Sequence, residues 1–438
     1  MDAFSIGERA GGAHLLRMAA DTTSSTRAAR VTLEGVSKRF DAGYNCASCG
    51  TQTRRKITLP SPKTPVFNKT YPVLATAVLG LLMTAHTTYG ADASPAPVAN
   101  VTQTPSGDPA DLELHYRGGP ATPADLAEMA KLSTLPAFTP EAGEGDFLLK
   151  PPYNPAPEET PRTDVPKGRV LHFTLTAADS KFYPDTGLRD WKATRSVTVY
   201  IPSQYVPGTL APLLLAHDEM GARNNLLPTI LDNLIADHRL PPIVAVMVAH
   251  GGGDARGSER GLEYDTVSGK YTDFIETEVL PRVAKDYGVT FTKDPDGRAV
   301  MGGSSGGAVA FTMAWFHPEL YHRVLTYSGT YTNNQSPKNP ALPHGAWEYH
   351  EHLILQNATK PLRIWMEVGE NDNGSINTAA DLHNWVIANE RMAGVLKAKG
   401  YHYQFVFAQG AGHVDAKVVT QTLPQALVWL WQGYPSAK

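Results

Sequence analysis

From Gly168 onward the chain alternates short apolar runs with longer segments whose apolar residues recur at helical spacing. The runs "PLLLAHDE", "PPIVAVMVAH", "GRAVMGG", "RVLTYSGTY", "PLRIWMEVGE" and "YQFVFAQGAGH" have the continuous hydrophobicity of parallel strands buried on both faces. "VLHFTLTA" and "RSVTVYIP" alternate instead, which predicts an antiparallel pair at the start. Helices are expected in "NNLLPTILDNLIADHR", "KYTDFIETEVLPRVAKDYG", "GGAVAFTMAWFHPELY", "AADLHNWVIANERMAGVLKAKG" and "LPQALVWLWQGY". Strands alternating with helices predict an α/β class: a mostly parallel central sheet with helices on both faces, spanning residues 167–438. No internal repeat is visible.

Residues 94–166 break this pattern. They are rich in Pro, Ala, Thr and Glu and bury too little apolar area to fold alone, so they read as a linker or an arm lying across a neighbouring domain. "ATPADLAEMAKL" is an exception, a short helix with Thr122 as N-cap, Pro123 at the first position and Asp125 in the first turn. Phe147, Leu148, Leu149 and Tyr153 are the residues expected to fasten the arm to the core.

Residues 54–93 resemble an export signal. Arg54, Arg55, Lys56 and Lys69 precede an apolar stretch from Val73 to Ala85, and Ala91-Asp92-Ala93 supplies the small-x-small pattern of a cleavage site. The stretch is short for a bilayer span, which needs roughly 20 apolar residues, so no stable membrane anchor is expected after cleavage, and the mature protein is expected to be periplasmic or secreted. Residues 1–53 lie upstream of that signal and are read as a spurious or disordered extension. They hold both cysteines, Cys46 and Cys49, and no second pair completes a zinc site. A net charge of −4 without a polybasic tract argues against a nucleic-acid partner.

The candidate chemistry centres on "RAVMGGSSGGAVAF", where Gly-x-Ser-x-Gly fits in two overlapping frames, with Ser304 or Ser305 central. Small residues between a strand and a helix permit the sharp turn that exposes a nucleophilic serine, and the helix N-terminus aims N–H groups at a developing oxyanion. A serine also needs a base and an acid that orients it, in the chain order Ser, Asp/Glu, His on this kind of sheet. His413 follows the strand "YQFVFAQGAGH". Asp372 follows "PLRIWMEVGE", in competition with Glu367, Glu370 and Asp381. Both fall at carboxyl ends of strands, where α/β sheets place their sites.

Together, "RSVTVYIPSQY", "LDNLIADHRLPPIVAVMV", "RGLEYDTVSGKYTDFIETEVLPRV", "GRAVMGGSSGG", "VGENDN", "GAGH" and "LPQALVWLW" resemble the enterochelin esterase-like branch of the esterase family within the α/β-hydrolases, which includes feruloyl and acetyl-xylan esterases. The resemblance runs from about Val170 to Gly433. It implies the α/β-hydrolase fold, with Ser304 as nucleophile, His413 as base and Asp372 as acid. In the frame it favours, Gly302 directly follows the strand "AVM", whereas the other frame requires the strand to extend through a glycine. The Ser305 amide is then one oxyanion donor. The second is expected after "PLLLAHD", where His217-Asp218-Glu219-Met220-Gly221 replaces the usual H-G-G-G, and Glu219 is the chosen position among Asp218, Glu219 and Met220.

Arg260 and Glu263 match an Arg-x-x-Glu pattern, read either as a buried pair bracing a loop or as substrate contacts. "PHGAWEYHEHL" gathers His344, His350 and His352 around Trp347, which is expected to wall an acyl or aryl pocket or to pack a cap. Three histidines suggest zinc, but no metal is assigned because no H-E-x-x-H or acidic ligand pattern accompanies them. These readings imply a secreted serine hydrolase that cleaves a small-molecule or polysaccharide-linked carboxylic ester through an acyl-enzyme and needs no cofactor. The alternatives are an acyltransferase using the same residues and an inactive carbohydrate-binding protein of the same fold.

Overall fold

Each apolar run downstream of Gly168 becomes a strand, and the arm contributes one more. The structure, a computed structural model, describes residues 119–188, 190–218, 226–254 and 256–435. The expected leader, both cysteines, residues 94–118 of the arm and Glu219 lie outside the described residues.

The strands are β1 (Gly145–Leu149), β2 (Arg169–Thr176), β3 (Thr194–Ile201), β4 (Leu210–Ala211), β5 (Leu213–His217), β6 (Val244–Val248), β7 (Thr290–Phe291), β8 (Arg298–Gly303), β9 (Arg323–Tyr327), β10 (Arg363–Asn371) and β11 (His402–Gly412). Nine form one sheet in the order β1-β11-β10-β9-β8-β5-β6-β3-β2, while β4 and β7 pair separately. β3 runs antiparallel to both β2 and β6, and the other neighbours in the sheet are parallel. The helices are α1 (Pro123–Ala130), α2 (Leu226–Ala236), α3 (Glu259–Tyr264), α4 (Lys270–Phe274), α5 (Leu280–Tyr287), α6 (Ser305–Phe316), α7 (Trp385–Ala398) and α8 (Ala416–Leu430). A π-helical turn, Ile275–Val279, joins α4 to α5.

The period of two in the strands sorts their side chains to two cores. Leu213, Leu215, Val300, Val324, Ile364 and Phe405 pack on one face with residues of α4 to α7. Leu214, Ala299, Met301, Leu325, Trp365 and Val406 pack on the other against α2 and α8. Continuous apolar runs are therefore what this architecture needs, since both faces of each central strand are covered. This is an α/β-hydrolase fold, with a mostly parallel sheet between two helical layers and a proline-rich arm before it.

The arm is more closely joined than its composition suggested. β1 pairs in parallel with β11 along Gly145–Leu149, so a segment read as linker forms an edge of the sheet. Leu148 enters one core and Leu149 the other, and the Tyr153 hydroxyl donates to the Gln409 carbonyl. α1 carries a capping box in which the Thr122 hydroxyl accepts the Asp125 amide and Asp125 accepts the Thr122 amide. Glu128 on this helix holds Arg391 of α7 through two bonds of 2.8 and 2.9 Å.

Candidate active site

Ser304 occupies the turn between β8 and α6 with φ 57° and ψ −129°, a backbone conformation that non-glycine residues rarely adopt. The strand does not stop at Met301, as the sequence reading assumed. It runs through Gly302 and Gly303, paired opposite Thr326 and Tyr327 of β9, so the turn itself begins at Ser304. Glycine is needed there for proximity: a Cβ on Gly302 would lie 2.4 Å from the Gly306 carbonyl carbon and oxygen, and one on Gly306 2.9 Å from an Asp218 carboxylate oxygen. These close approaches let α6 start directly against the strand end, with the Gly307 and Ala308 amides already turned back to the Ser304 carbonyl. The Ser304 amide donates to the Tyr327 carbonyl at 2.9 Å, tying the strained residue to the neighbouring strand.

The Ser304 hydroxyl lies 2.8 Å from His413 Nε2, and His413 Nδ1 lies 2.6 Å from Asp372 Oδ1. The imidazole side chain is one-quarter exposed, whereas the Asp372 side chain is fully buried. Trp385 stands edge-on to the imidazole at 6.0 Å. The arrangement can lift a proton from the hydroxyl at one ring nitrogen while the carboxylate fixes the opposite N–H. Ser305, the rival serine, is buried at the first position of α6, and His413 Nε2 faces Ser304 instead.

Of the four competing acids, Asp372 is the one bonded to His413. A register shift between Gly369 and Asn371 in the pairing of β10 with β11 carries the chain into the turn that holds it. Gly369 permits that bulge, since a Cβ there would meet the Ala411 and Gly412 carbonyl oxygens at 2.6 Å. Glu370 accepts the Gly410 amide, and Glu367 is buried within β10. Asp381 lies in a short 3-10 turn.

Ser328 escaped the sequence reading. Its hydroxyl donates to Asp372 Oδ2 at 2.6 Å and accepts the Val414 amide at 2.8 Å, linking the acid to the backbone beside His413. Ser328 and Val414 also have positive φ, 49° and 46°, so strained non-glycine backbone gathers around Ser304. The Thr330 hydroxyl lies 3.4 Å from Ser304 Oγ. The signal for both was "YSGT" at the carboxyl end of β9, the strand beside the candidate nucleophile, where polar residues interrupt an apolar run.

The Arg-x-x-Glu pattern ties down two segments, with Arg260 on Asp218 at the end of β5 and Glu263 on Arg195 and Gly251. Arg260 donates through Nε and Nη2 to the two carboxylate oxygens of Asp218, the first at 2.8 Å and the second at 2.5 Å, and Asp218 has φ 68°. Its amide donates to the Tyr264 hydroxyl at 3.3 Å, which engages it away from a reacting carbonyl. Glu263 pairs with Arg195 at 2.7 Å and accepts the Gly251 amide. Burial pushes the Glu263 carboxyl up to about 7, against the pull of Arg195. Both partners are therefore spent inside the protein, and the substrate-contact reading of Arg260 and Glu263 gives way to bracing. His217, wholly buried at the end of β5, is pushed down to about 3 by burial and stays neutral. Trp347 is 3% exposed, edge-on to His350 at 4.5 Å and beneath the Arg391 guanidinium. It packs the segment between β9 and β10 and presents almost no face to a ligand.

The esterase family model, described as "Putative esterase", matches residues 190–430. The chain belongs to the esterase family. Among solved structures it is similar to the enterobactin esterase from Shigella flexneri, 21% identical over 62% of this chain with a TM-score of 0.43, and 61% of the Shigella protein's length is spanned. The ferulic acid esterase of the anaerobic fungus Anaeromyces mucronatus is similar at 14% identity over 64% of this chain and 96% of its own, with a TM-score of 0.46. No curated protein matches the chain significantly in sequence. Among the described residues no helix is long and apolar enough to cross a membrane.

Proposed function

We propose that this esterase-family protein hydrolyses carboxylic esters through an acyl-enzyme on Ser304. The observation that carries this reading is the unbroken relay from Ser304 Oγ through His413 to Asp372, at 2.8 and 2.6 Å, on a strained turn at the start of α6.

As Ser304 Oγ bonds to the ester carbonyl carbon, its proton passes to His413 Nε2, and Asp372 stabilises the resulting imidazolium at Nδ1. The carbonyl oxygen becomes an oxyanion that accepts from the Ser305 amide and from a second amide just after Asp218, with Glu219 the proposed donor. Collapse breaks the bond to the alkoxy oxygen, which leaves as the alcohol with the proton from His413. Water then gives a proton to His413, adds to the acyl carbon and releases the carboxylic acid, restoring Ser304. Each proton that His413 takes up is returned within the cycle, so the steps balance with ester and water alone.

The order of basic, apolar and small-x-small residues in 54–93 supports export and cleavage after Ala93, with a periplasmic or secreted product. The enterobactin and ferulic acid esterases suggest the first substrates to try, alongside small aryl and acetyl esters. The test combines fluorophosphonate labelling with turnover of that panel. Labelling at Ser304 and acid release from at least one ester support the reading. An unlabelled Ser304, or acyl transfer to an added sugar alcohol with no hydrolysis in its absence, overturns it.

A further inference from the structure

The segment between β9 and β10 that carries Trp347 gathers a second set of groups around Glu348, and the ester chemistry uses none of them. His344 Nδ1 lies 2.7 Å from Glu351 Oε2, His352 Nε2 lies 2.7 Å from Glu348 Oε2, and His352 Nδ1 lies 3.9 Å from Glu351 Oε2. Donor atoms of His344, Glu348 and Glu351 all fall within 4.8 Å of one another. A 3-10 turn (Gly345–Trp347) leads into a π-helical turn (Tyr349–Leu353), and their winding brings these positions to one side.

Glu348 departs from an ordinary surface ion pair. It is 1% exposed, its Oε1 accepts the His344 amide at 3.0 Å, and its shielded Oε2 accepts no hydrogen bond. His352 Nε2 stands beside that oxygen outside hydrogen-bonding geometry. A buried carboxylate oxygen whose neighbouring imidazole nitrogen is misaligned for a hydrogen bond is costly, and a cation is a partner that needs no N–H direction.

We propose that His344, Glu348, Glu351 and His352 form a binding site for one divalent transition-metal cation of the zinc class. Two imidazoles with two carboxylates suit zinc and disfavour calcium, which takes oxygen ligands. Tetrahedral zinc holds its donors about 3.3 Å apart. One nitrogen of each imidazole already lies 2.7 Å from a carboxylate oxygen, His344 Nδ1 from Glu351 Oε2 and His352 Nε2 from Glu348 Oε2, so small side-chain rotations open that spacing around one cation. The inner side of the same turn is already fixed: the Tyr349 hydroxyl meets Thr312 of α6 at 2.8 Å, and His350 Nε2 meets the Tyr331 carbonyl at 3.2 Å. A cation pins the outer side as well. Sequence reading found neither H-E-x-x-H nor an acidic ligand pattern beside these histidines, whereas the fold sets Glu348 and Glu351 against them.

The experiment uses the full chain carrying Cys46→Ser and Cys49→Ser, so that the cysteine pair cannot bind metal, stripped with a chelator and titrated calorimetrically with zinc chloride. One equivalent should bind with a Kd in the micromolar range or tighter. His344→Ala and His352→Ala should each weaken binding at least about tenfold. Both side chains are more than one-third exposed, 41% and 37%, so their loss should leave the circular dichroism spectrum unchanged. His402→Ala, at an exposed histidine paired with Glu144, should bind as the parent does. Absence of one-to-one binding in the parent, or an unchanged affinity in both His344→Ala and His352→Ala, overturns the proposal.

Discussion

At Ser304 and Ser305 two chemically identical side chains, one bond apart along the chain, face different environments. Ser304 meets the imidazole, whereas Ser305 is turned into the protein. Ser304→Ala should lower kcat on any ester turned over by on the order of 10⁴-fold or more, while Ser305→Ala keeps most of it because a backbone donor survives. Steady-state kinetics on the two purified variants decides between them, and the reverse ranking moves the nucleophile to Ser305. Ser328 acts through its neighbours. Losing its bond to Asp372 should reduce kcat about tenfold in Ser328→Ala with KM unchanged, as expected for a hydrogen bond to a charged group. A change in KM alone would argue against a positioning role.

At the scale of elements, the close approach of β8 to α6 depends on absent side chains. Gly302→Ala should destabilise the protein by at least about 2 kcal/mol, because the added carbon meets backbone and no flexible side chain. Urea unfolding followed by tryptophan fluorescence measures this, and a wild-type midpoint would refute the packing argument. Asp265, at the C-terminal end of α3, contributes a pH dependence. Burial pushes its carboxyl up to about 7, with Arg260 and Ser305 pulling the other way. The folded form therefore keeps the proton well above the unfolded pKa near 3.9, so its contribution is complete in acid and is lost as pH rises through about 7. Asp265→Asn mimics the neutral acid. The melting temperature of the variant relative to wild type should thus rise from pH 4 to pH 8, with a ceiling on the order of 4 kcal/mol. A constant difference across that range contradicts the assignment.

At the scale of the whole molecule, the arm and the sheet are one folding unit along β1. A chain starting at Gly168 loses this strand, leaves the backbone of β11 unpaired along an edge, and uncovers core around Leu148 and Leu149. Relative to a chain starting at Gly119, it should give less soluble protein and melt several degrees lower, read by differential scanning fluorimetry. Equal stability would mean that β1 is an ornament of the sheet.

The apolar runs announced the central strands and most helices because burial on both faces imposes a composition that single residues cannot hide. For the candidate site, the apolar runs located the loops at the carboxyl edge of the sheet, and the resemblance to the esterase branch chose Ser304, Asp372 and His413 within them. β1 was not, because "GDFLL" is too short to stand out from its proline-rich surroundings and depends on β11, over 250 residues away, for its partner. The same holds for Ser328, the Arg260–Asp218 brace and the four-residue cluster around Glu348. Local periodicity and turn chemistry are properties of neighbouring residues and can be read in order. Pairings between distant segments, and the burial that turns a carboxylate into a brace, a relay or a ligand, exist only once the chain has folded back on itself.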